Sequence, residues 1–487
     1  MAKKKKIKQY IFAFRNKYKL MPKPAKASLW FIICSFFQRG ISMITSPVFA
    51  RLLPEEQYGI ASTFYAWESL LTMIITLSLY KAMMNLFVKK RDKEHVLSSI
   101  CGLSIVLCSV WFLIFFIFQK RIISFLGLSK TLTFCLLASV LYQAIYSNWS
   151  LYERYLYNYK KIVFLSLTSS VVLSVAAVVC VLLIGRTAES RIVPLILAHA
   201  VITIGLLLSI YRKSHSFYDG EVWKFSLSFC IVLLPHYLSE FVLQSSDKLM
   251  INYMCGPRDV ALYSVAYSAG SLINLMTNAI NSSFAPYQYQ QIEAKNYKGL
   301  SKRANQVLLG VAIVLSLIML FSNEIVLIFG GKKYLESAEV IIPICIGIFF
   351  NYLFQLFARA QEYFERKITV VIPSVLCALL NLVLNYVFIK KYGYQAAAYT
   401  TFACYLFFCC LHYLFYKKVC KEELDGENIY DVLGIMKISG AVIIAGITIT
   451  IINKTVVVKY TIIAVGMIIA VIYKKKIKDW FLTVVKL

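Results

Sequence analysis

The sequence predicts an all-α polytopic membrane protein with about 14 transmembrane helices. Hydrophobic residues make up 59% of its 487 residues, charged residues make up only 16%, and the mean hydropathy is +0.68. A soluble chain is usually about one quarter charged. Apolar runs of about 20 residues recur along nearly the whole sequence, which is the length at which a helix crosses the hydrocarbon core of a bilayer. Membrane-spanning strands are about half as long, so the runs indicate helices.

The apolar runs also give the order of the spans. We place the spans at residues 28–50, 60–80, 97–118, 131–151, 162–184, 192–211, 224–246, 260–284, 306–328, 340–358, 368–389, 396–416, 434–452 and 456–473. The loops between them are short, and even the longest, 285–305 and 417–433, leave no room for a folded extramembrane domain.

The distribution of positive charge orients the helices. With the N-terminus inside, the N-terminal tail, the even-numbered loops with the adjoining Lys224, and the C-terminus carry 36 of the 52 Lys and Arg residues. The odd-numbered loops with the adjoining Lys459 carry 14. Cytoplasmic loops are enriched in Lys and Arg, so the sequence predicts that both termini are cytoplasmic. The same bias explains most of the net charge of +28, and we therefore expect no nucleic-acid partner.

Two halves of the chain resemble each other weakly. At an offset of 202 residues, Tyr65 and Ser69 match Tyr267 and Ser271, which pairs the second span with the eighth. Six spans separate the copies, and an even number gives both copies the same orientation. The sequence therefore predicts two six-helix lobes related by a pseudo-two-fold axis along the membrane normal, followed by two C-terminal helices.

These patterns divide the chain into predicted regions. In order, the regions are a basic cytoplasmic tail (1–27), an N-lobe with helices 1–6 (28–211), a cytoplasmic linker (212–223), a C-lobe with helices 7–12 (224–416), a cytoplasmic loop (417–433), helices 13–14 (434–473) and a basic cytoplasmic C-terminus (474–487). We expect no cleavable signal peptide, because the first long apolar run begins near Ser28, behind a Lys-rich tail.

The sequence lacks the motifs of several enzyme classes. It contains no G-x-x-x-x-G-K-[ST] phosphate loop and no H-E-x-x-H motif. Its 13 cysteines are scattered, mostly within apolar runs, and show no metal or redox spacing. We therefore expect a protein that is not an enzyme and has no resident metal or cofactor.

Polar side chains form two rows on adjacent predicted spans. The rows are His236, Glu240, Gln244 and Asp247 on the seventh span, and Tyr263, Tyr267, Ser271, Asn274, Asn278 and Asn281 on the eighth. Residues three and four apart share one face of a helix. Unpaired polar groups are costly in hydrocarbon, so the rows indicate either hydrogen bonds that hold helices together or a hydrated path. We favour the hydrated path, because one row includes Glu and Asp.

Few charges lie deep within the predicted spans. These charged residues are Arg39, Glu68 and Glu240. Placing a charged side chain at the centre of a bilayer costs at least about 2.5–3.5 kcal/mol of insertion free energy. Arg39 is either one half of a buried ion pair with Glu68 or Glu240, or a fixed positive charge for an anionic substrate group. The guanidinium fork is suited to phosphate because it binds two oxygens at once.

Further candidates come from the span ends and from the acidic row. Lys248 and Arg359 are cations at span ends, and each serves either as an interface anchor or as a substrate ligand. Glu68, Glu240 and Asp247 are candidates for coupling transport to H⁺ or Na⁺. A histidine titrates near neutral pH, so His236 is another candidate, with a structural hydrogen bond as its alternative role.

Several motifs resemble those of one family. They are Pro47-x-x-x-Arg51-x-Leu53, Tyr58-Gly59, Asp247-Lys248-Leu-Met-Ile, Leu262-Tyr263-Ser264-Val265-Ala266-Tyr267, Asn281-Ser-x-Phe284-x-Pro286, and Leu382-x-Leu384-Asn385-Tyr386 followed by Lys391-Tyr392-Gly393 and Ala396-Ala397. In order and spacing they resemble the polysaccharide (O-antigen and capsule) flippases of the multidrug/oligosaccharidyl-lipid/polysaccharide exporter superfamily. One departure is Ala261, which stands where relatives often have Gly.

The resemblance implies a function and a location. It implies two lobes that open alternately to each side of the bacterial cytoplasmic membrane and carry polyprenyl-pyrophosphate-linked oligosaccharide units from the inner to the outer leaflet for surface polysaccharide biosynthesis. The expected substrate ligands are Arg39, Lys248, Arg359, Tyr263, Tyr267, Asn274, Asn278 and Asn281. The expected partners are the lipid-linked oligosaccharide, membrane lipids and other polysaccharide-assembly membrane proteins.

Three other functions stay open at this point. Two belong to the same superfamily, namely a flippase for a lipid-linked peptidoglycan precursor and an ion-coupled drug antiporter. Many inward cations would favour the precursor flippase, and a deep Arg39 would repel cationic drugs. The third function is that of a membrane glycan polymerase, which needs catalytic groups on a sizeable outer loop.

Overall fold

The structure, a computed structural model, describes residue 18 and residues 20–472, apart from Arg91 and Leu272. The predicted basic ends therefore lie outside the described residues, except for residue 18 and residues 20–27. Within this part of the chain every regular element is a helix. The predicted all-α fold class is confirmed.

Eighteen α-helices follow one another along the described chain. They are α1 (Lys23–Leu52), α2 (Glu55–Thr76), α3 (Tyr80–Lys89), α4 (Lys93–Ile117), α5 (Gln119–Leu126), α6 (Lys130–Tyr155), α7 (Tyr159–Leu183), α8 (Ala188–Tyr211), α9 (Gly220–Met254), α10 (Pro257–Gly270), α11 (Ile273–Glu293), α12 (Tyr297–Leu320), α13 (Ser322–Phe329), α14 (Ile341–Tyr363), α15 (Lys367–Tyr392), α16 (Gln395–Glu423), α17 (Val432–Ile452) and α18 (Val456–Ile472). A 3-10 helix, Lys332–Val340, precedes α14.

Each of the 14 predicted spans coincides with helical structure. By length and composition, 11 helices of the described chain can cross a membrane, and α5 with α6, bent by 90°, make a twelfth span if counted together. The other two predicted spans are 260–284 and 456–473. They differ from the rest because the first is divided between α10 and α11, and the second has a short apolar run.

Three local features were not predicted. The span at 260–284 is broken, because α10 ends at Gly270 and Ser271 closes it with a backbone hydrogen bond to Tyr267. The second span ends at Leu77 and Ser78, both with positive φ, before α3 begins. Short helices α5 and α13 flank the apolar runs, and nothing in the hydrophobic pattern separates them from the neighbouring spans.

Polar side chains define where several helices begin. Each accepts a hydrogen bond from the backbone N–H three residues later, which satisfies one of the free donors of the first turn. These caps are Asp92 for α4, Ser129 for α6, Thr187 for α8, Asn296 for α12 and Asp431 for α17. The caps lie in the short loops, so the loop sequences help to fix the helix boundaries.

Two glycines meet geometric requirements that other residues would not. Gly127 ends α5 with φ 63°, in the left-handed region that favours glycine. Gly59, on α2, packs against the first turn of α10, where an added Cβ would overlap the carbonyl oxygen of Pro257. The α2 helix therefore approaches this turn at backbone distance.

The chain divides into two compact units. One contains the chain up to Thr45 together with Trp67–Leu234, and the other contains Ser46–Ala66 together with the chain from Pro235 onward. The first unit has a core in which Met83 of α3, Ile100 of α4 and Ile145 of α6 are fully buried. The predicted lobes, 28–211 and 224–416, follow the sequence repeat and keep 46–66 with the first half, and their boundaries stay a prediction.

The second unit is built around α14. This helix packs against α10, α11, α12, α15, α16 and α17, and most of its side chains are buried. Nearly every face of α14 is therefore occupied by protein. Polar groups on α14 consequently lie inside the helix bundle, where they need partners or an enclosed polar space.

Candidate functional site

The second unit encloses a polar cavity of about 200 Å³. It lies among α9, α10, α11, α14 and α16, all of which contribute side chains to its wall. Five amide side chains line it, namely Gln244, Asn274, Asn278, Asn351 and Gln355. The wall includes Gln244 from the polar row on α9, and the prediction of a hydrated path along both rows stays a prediction.

Tyrosines make up much of the remaining wall. They are Tyr263, Tyr267, Tyr352 and Tyr405. The rings of Tyr263 and Tyr267 are stacked, with centroids 6.0 Å apart. Together the rings and the phenol oxygens give the cavity both apolar faces and hydroxyl groups.

Several polar groups of the wall have no protein partner. Within the described chain, the side-chain amides of Asn274, Asn278 and Asn351 make no hydrogen bond, and the hydroxyl oxygen of Tyr352 is buried without one. Gln355 donates one bond, from Nε2 to the Asn351 carbonyl at 3.0 Å. Asn278 is exposed and Asn274 and Asn351 are half-buried, so their amides are open to water or to a polar ligand. The Tyr352 hydroxyl is buried, and buried polar groups are nearly always paired, so it is the group that lacks an expected partner.

A fully hydrogen-bonded carboxylate lies behind two residues of the cavity wall. Asp247, on α9, is 2% exposed. Its Oδ2 accepts from the Tyr263 hydroxyl at 2.5 Å and from the Thr401 hydroxyl at 2.9 Å, and both of these residues line the cavity. Its Oδ1 accepts from Asn385 Nδ2 at 2.7 Å. The cavity wall and the carboxylate therefore share hydrogen bonds.

The network extends from Asp247 into α15 and α16. Asn385 also donates to Asn381 Oδ1 at 3.1 Å and accepts a bond from the Thr400 hydroxyl. Asn381 Oδ1 in turn accepts from Ser246 at 3.2 Å. Tyr263, Thr401 and Asn385 are all neutral donors to the carboxylate, so Asp247 is held by hydrogen bonds and not by an ion pair within the described residues.

The structure brings together four of the predicted substrate ligands. Tyr263, Tyr267, Asn274 and Asn278 all line the cavity, although they come from two helices and not from the single span that was predicted. Asn281, which was predicted with them, is half-buried on α11 but does not line the cavity. The break between α10 and α11 separates the row into two parts.

The four polar residues of the row on α9, His236, Glu240, Gln244 and Asp247, do not share one environment. Gln244 lines the cavity and Asp247 is buried, whereas the Glu240 side chain is 53% exposed. Nε2 of His236 is 4.0 Å from Oε1 of Glu240, so these two residues interact with each other, one turn before Gln244. Of the four, Asp247 is the residue whose two carboxylate oxygens both accept hydrogen bonds within the described chain.

The remaining acidic candidate belongs to the first unit. Glu68, on α2, accepts hydrogen bonds from Ser139 and, at 3.5 Å, from Gln143, both on α6. The alternative that Glu68 pairs with Arg39 is therefore wrong for this structure. Arg39 is exposed on α1 and has no ion-pair partner among the described residues.

The other predicted cations differ in how far they are neutralised. Nζ of Lys248 lies 5.5 Å from the centroid of the Tyr267 ring, and Lys248 has no carboxylate within ion-pair distance in the described chain. Arg359 is held by Glu362, with Nη1 2.7 Å from the carboxylate oxygen. Arg359 therefore has less charge to offer a ligand than Arg39 or Lys248.

Several residues of the site were not among the predicted ligands. Asn351 with Gln355 and Asn381 with Asn385 form pairs spaced by four, a signal that the sequence does contain. Thr401 and Tyr405 are also spaced by four, but they and Tyr352 were not singled out, because Tyr and Thr are common in membrane helices as packing residues. No group of three or more His, Cys, Asp or Glu side chains in the described part of the chain could hold a metal ion.

Fold and site together define a class, that of multi-pass helical membrane proteins with a polar cavity inside a helix bundle. The polysaccharide biosynthesis protein family matches residues 25–292, just over half of the sequence, and the chain belongs to this family. The MatE family matches residues 233–387. The family resemblance predicted from the motifs is confirmed.

Individual relatives agree with this assignment. The chain is 24% identical over 352 residues to protein 1 of the Lsg locus of Haemophilus influenzae, a match that covers 68% of this chain and 84% of the relative. Among solved structures it resembles the lipid II flippase MurJ in an inward closed conformation, with a TM-score of 0.65 and 16% identity over 92% of this chain and 99% of that one.

A second solved structure has the same fold. It is the inward-facing conformation of a multidrug resistance MATE family transporter of the MOP superfamily, with a TM-score of 0.55 and 11% identity over 79% of this chain and 96% of that one. These likenesses show that the chain has the 14-helix, two-lobe fold. At such low identity they show the fold alone.

Proposed function

We propose that the protein is a flippase that moves polyprenyl-pyrophosphate-linked oligosaccharide units from the inner to the outer leaflet of the bacterial cytoplasmic membrane by alternating access. The observation that carries the proposal is the enclosed polar cavity among membrane-spanning helices, in a chain of the polysaccharide biosynthesis family. Both termini are cytoplasmic in this proposal, in agreement with the distribution of Lys and Arg.

The physical task of such a protein is to lower the barrier for a polar headgroup. Pyrophosphate and sugars would otherwise lose their water across about 30 Å of hydrocarbon. Amide and hydroxyl groups can replace the water around sugar hydroxyls, and cations can neutralise the pyrophosphate. The prenyl chain needs no such replacement, because it is itself soluble in lipid.

Arg39 and Lys248 are the preferred ligands of the pyrophosphate. Neither forms an ion pair with a carboxylate within the described residues, so neither cation is already held in direct contact. Arg359 is the weaker candidate because Glu362 already occupies its guanidinium.

We assign ion coupling to Asp247, ahead of Glu68, Glu240 and His236. All three hydrogen bonds to Asp247 are donated to it, an arrangement suited to the ionised carboxylate. Binding of H⁺ or Na⁺ would neutralise the carboxylate and weaken the charge-assisted hydrogen bonds that are donated to it. Two of the donors, Tyr263 and Thr401, line the cavity, so ion binding would alter the surface that meets the cargo.

The proposal is tested in cells depleted of the protein. Polyprenyl-linked glycans are extracted, and their leaflet is determined with a membrane-impermeant reagent that oxidises sugars. Complete repeat units that accumulate on the inner leaflet support a flippase. Single repeat units that accumulate on the outer leaflet indicate a polymerase instead, and unchanged glycans with altered dye resistance indicate a drug antiporter.

Reconstitution separates the two flippase functions. Purified protein in liposomes is supplied with a polyprenyl-pyrophosphate oligosaccharide or with a lipid-linked peptidoglycan precursor. The proposal requires faster transfer of the oligosaccharide. Transfer of the peptidoglycan precursor alone would contradict it.

A further inference from the structure

We propose that the cavity among α9, α10, α11, α14 and α16 is a subsite for one uncharged sugar ring of the cargo. This inference rests on the proposed function and adds the chemical class that the subsite selects. The pyrophosphate is bound elsewhere on the protein. The subsite therefore discriminates between cargo molecules by their sugar and not by their lipid chain or their phosphate.

The size of the cavity limits what it can hold. Its volume is about 200 Å³. Pockets for drug-sized ligands span about 300–1,000 Å³. A single ring with its hydroxyl groups is of the right scale, whereas an oligosaccharide is too large.

The polar groups of the wall match a sugar ring in kind. A sugar hydroxyl both donates and accepts, and a side-chain amide offers both functions as well. The amides of Asn274, Asn278 and Asn351 have no hydrogen-bond partner within the described chain, so they are available to a ligand. The buried Tyr352 hydroxyl is also unpaired.

The aromatic groups of the wall match the apolar faces of the same ring. The C–H groups of a pyranose carry a small positive charge, and the face of a phenol ring is negative. Tyr263 and Tyr267 form a stacked pair in the wall. A site with amides and aromatic rings side by side suits a ligand with polar edges and an apolar face.

The absence of charge in the wall sets the selectivity. No residue that lines the cavity within the described chain is acidic or basic. Asp247 lies directly behind Tyr263 and Thr401, and its negative charge opposes a second carboxylate in front of them. Lys248 contacts the Tyr267 ring but does not line the cavity. An acidic sugar would thus lose its water without gaining a cation.

The test measures binding of defined lipids to the full chain in lipid nanodiscs. The probes are undecaprenyl pyrophosphate alone and the same lipid carrying glucose, glucuronic acid, galactose or galacturonic acid. Each acidic sugar differs from its neutral counterpart only at carbon 6. We expect a neutral sugar to raise affinity by at least about tenfold over the bare lipid, and its acidic counterpart to give no increase.

Two variants connect the effect to the cavity. Asn278→Leu removes an exposed amide of the wall, so its loss leaves no buried group unpaired. We expect Asn278→Leu to abolish the increase due to the neutral sugar and to keep the affinity for bare undecaprenyl pyrophosphate. Gln290→Leu, a matched change at an exposed amide on the same helix outside the cavity, should bind all five lipids as the parent protein does.

The outcomes separate the subsite from the proposed function. Equal affinity for bare and sugar-bearing lipids overturns the subsite and leaves a flippase that binds the pyrophosphate. Equal gains from neutral and acidic sugars overturn the selectivity for uncharged rings. Failure to bind any of the five lipids overturns the proposed function and the subsite with it.

Discussion

Asn385 joins α15 to α9 by donating a hydrogen bond of 2.7 Å from Nδ2 to Oδ1 of Asp247. The same amide nitrogen donates to Asn381, and the amide oxygen accepts from Thr400. The carboxylate is thereby held by helices that are distant in sequence. With Tyr263 and Thr401 on its other oxygen, Asp247 has both of its oxygens engaged by neutral donors.

Replacing Asp247 by Asn should abolish ion-coupled transport. The new amide keeps the shape of the side chain but carries no charge, and its nitrogen would face donors where an oxygen accepted. We expect transport driven by an H⁺ or Na⁺ gradient to fall by at least about tenfold in proteoliposomes. A variant that keeps the gradient dependence of the parent protein would show that the coupling ion binds elsewhere.

Tyr263→Phe should weaken the link between the carboxylate and the cavity. The variant loses one of the two donors to Oδ2 of Asp247 but keeps the ring in the cavity wall. We expect slower transport at a given gradient, with the protein still folded, because Thr401 and Asn385 still hold the carboxylate. Transport assays at several ion concentrations should show a shifted concentration dependence, and an unchanged dependence would contradict the link.

Arg39→Ala should stop export without unfolding the protein. Arg39 is exposed and has no ion-pair partner among the described residues, so its loss breaks no ion pair that holds the fold. Removal of the cation that meets the pyrophosphate should lower export by at least about tenfold. The measurement is surface glycan in cells with matched protein levels.

The matched control for this variant is Arg121→Ala, an exposed arginine on α5 in the same unit. It should export at the parent rate. Normal export by a well-expressed Arg39→Ala protein would refute the role given to Arg39.

Much of the fold follows from the sequence because a helix that crosses the hydrocarbon core of a bilayer needs about 20 apolar residues. Every predicted span, from 28–50 to 456–473, coincides with helical structure. The break at Ser271 could not be predicted, since polar spacing by three and four continues through it as though the helix were unbroken. The spacing of polar residues indicates which of them share a helix face, but it does not indicate where the backbone turns.

The site was predictable only where polar residues repeat. Tyr263, Tyr267, Asn274 and Asn278 were found because they form a row, and the structure places them in one wall. Thr401 and Tyr405 are spaced by four, but spacing does not reveal the bond from Thr401 to Asp247, which depends on packing between residues 154 positions apart. The depth of Arg39 left two roles open, a buried ion pair with Glu68 or Glu240 and a substrate cation, and the structure gives Glu68 other partners, Ser139 and Gln143.

Gly59→Ala should destabilise the second unit. Its added Cβ would overlap the Pro257 carbonyl oxygen, a backbone atom that cannot rotate away. Overpacking of this kind typically costs about 1–3 kcal/mol. Thermal unfolding of the detergent-solubilised protein should show a lower midpoint. Gly40→Ala is the control, because nothing lies within 4 Å of its added Cβ, and it should leave the midpoint unchanged or raised.

Asp219 should stabilise the loop before α9 in a manner that depends on pH. Partial burial by itself would raise the pKa of Asp219, but hydrogen bonds from Lys90, the Val222 backbone and His95 outweigh it and hold the pKa below its ordinary value. The stabilisation is therefore complete above the unfolded pKa of about 3.9 and is lost as the pH falls through the lowered folded value.

This dependence predicts the behaviour of Asp219→Asn. The variant should unfold at a lower temperature than the parent protein at pH 7, and the gap should narrow as the pH is lowered through 4 toward 3. Lys90 lies 2.9 Å from Asp219 and 3.1 Å from Glu221, so the second carboxylate retains part of the contact. A gap that is constant with pH would show that the carboxylate charge contributes nothing.

All residues that line the cavity come from a single compact unit, the one that contains Ser46–Ala66 and the chain from Pro235 onward. In evolutionary terms, the proposed preference for the cargo sugar is then encoded within this one unit. Every residue that lines the cavity lies between residues 244 and 405. Recombination that exchanged this one stretch between related genes would move the proposed preference for a sugar in one event, while the rest of the transporter stayed native. Bacteria that vary their surface glycans would need only a chimaeric gene to keep export matched to a new polymer.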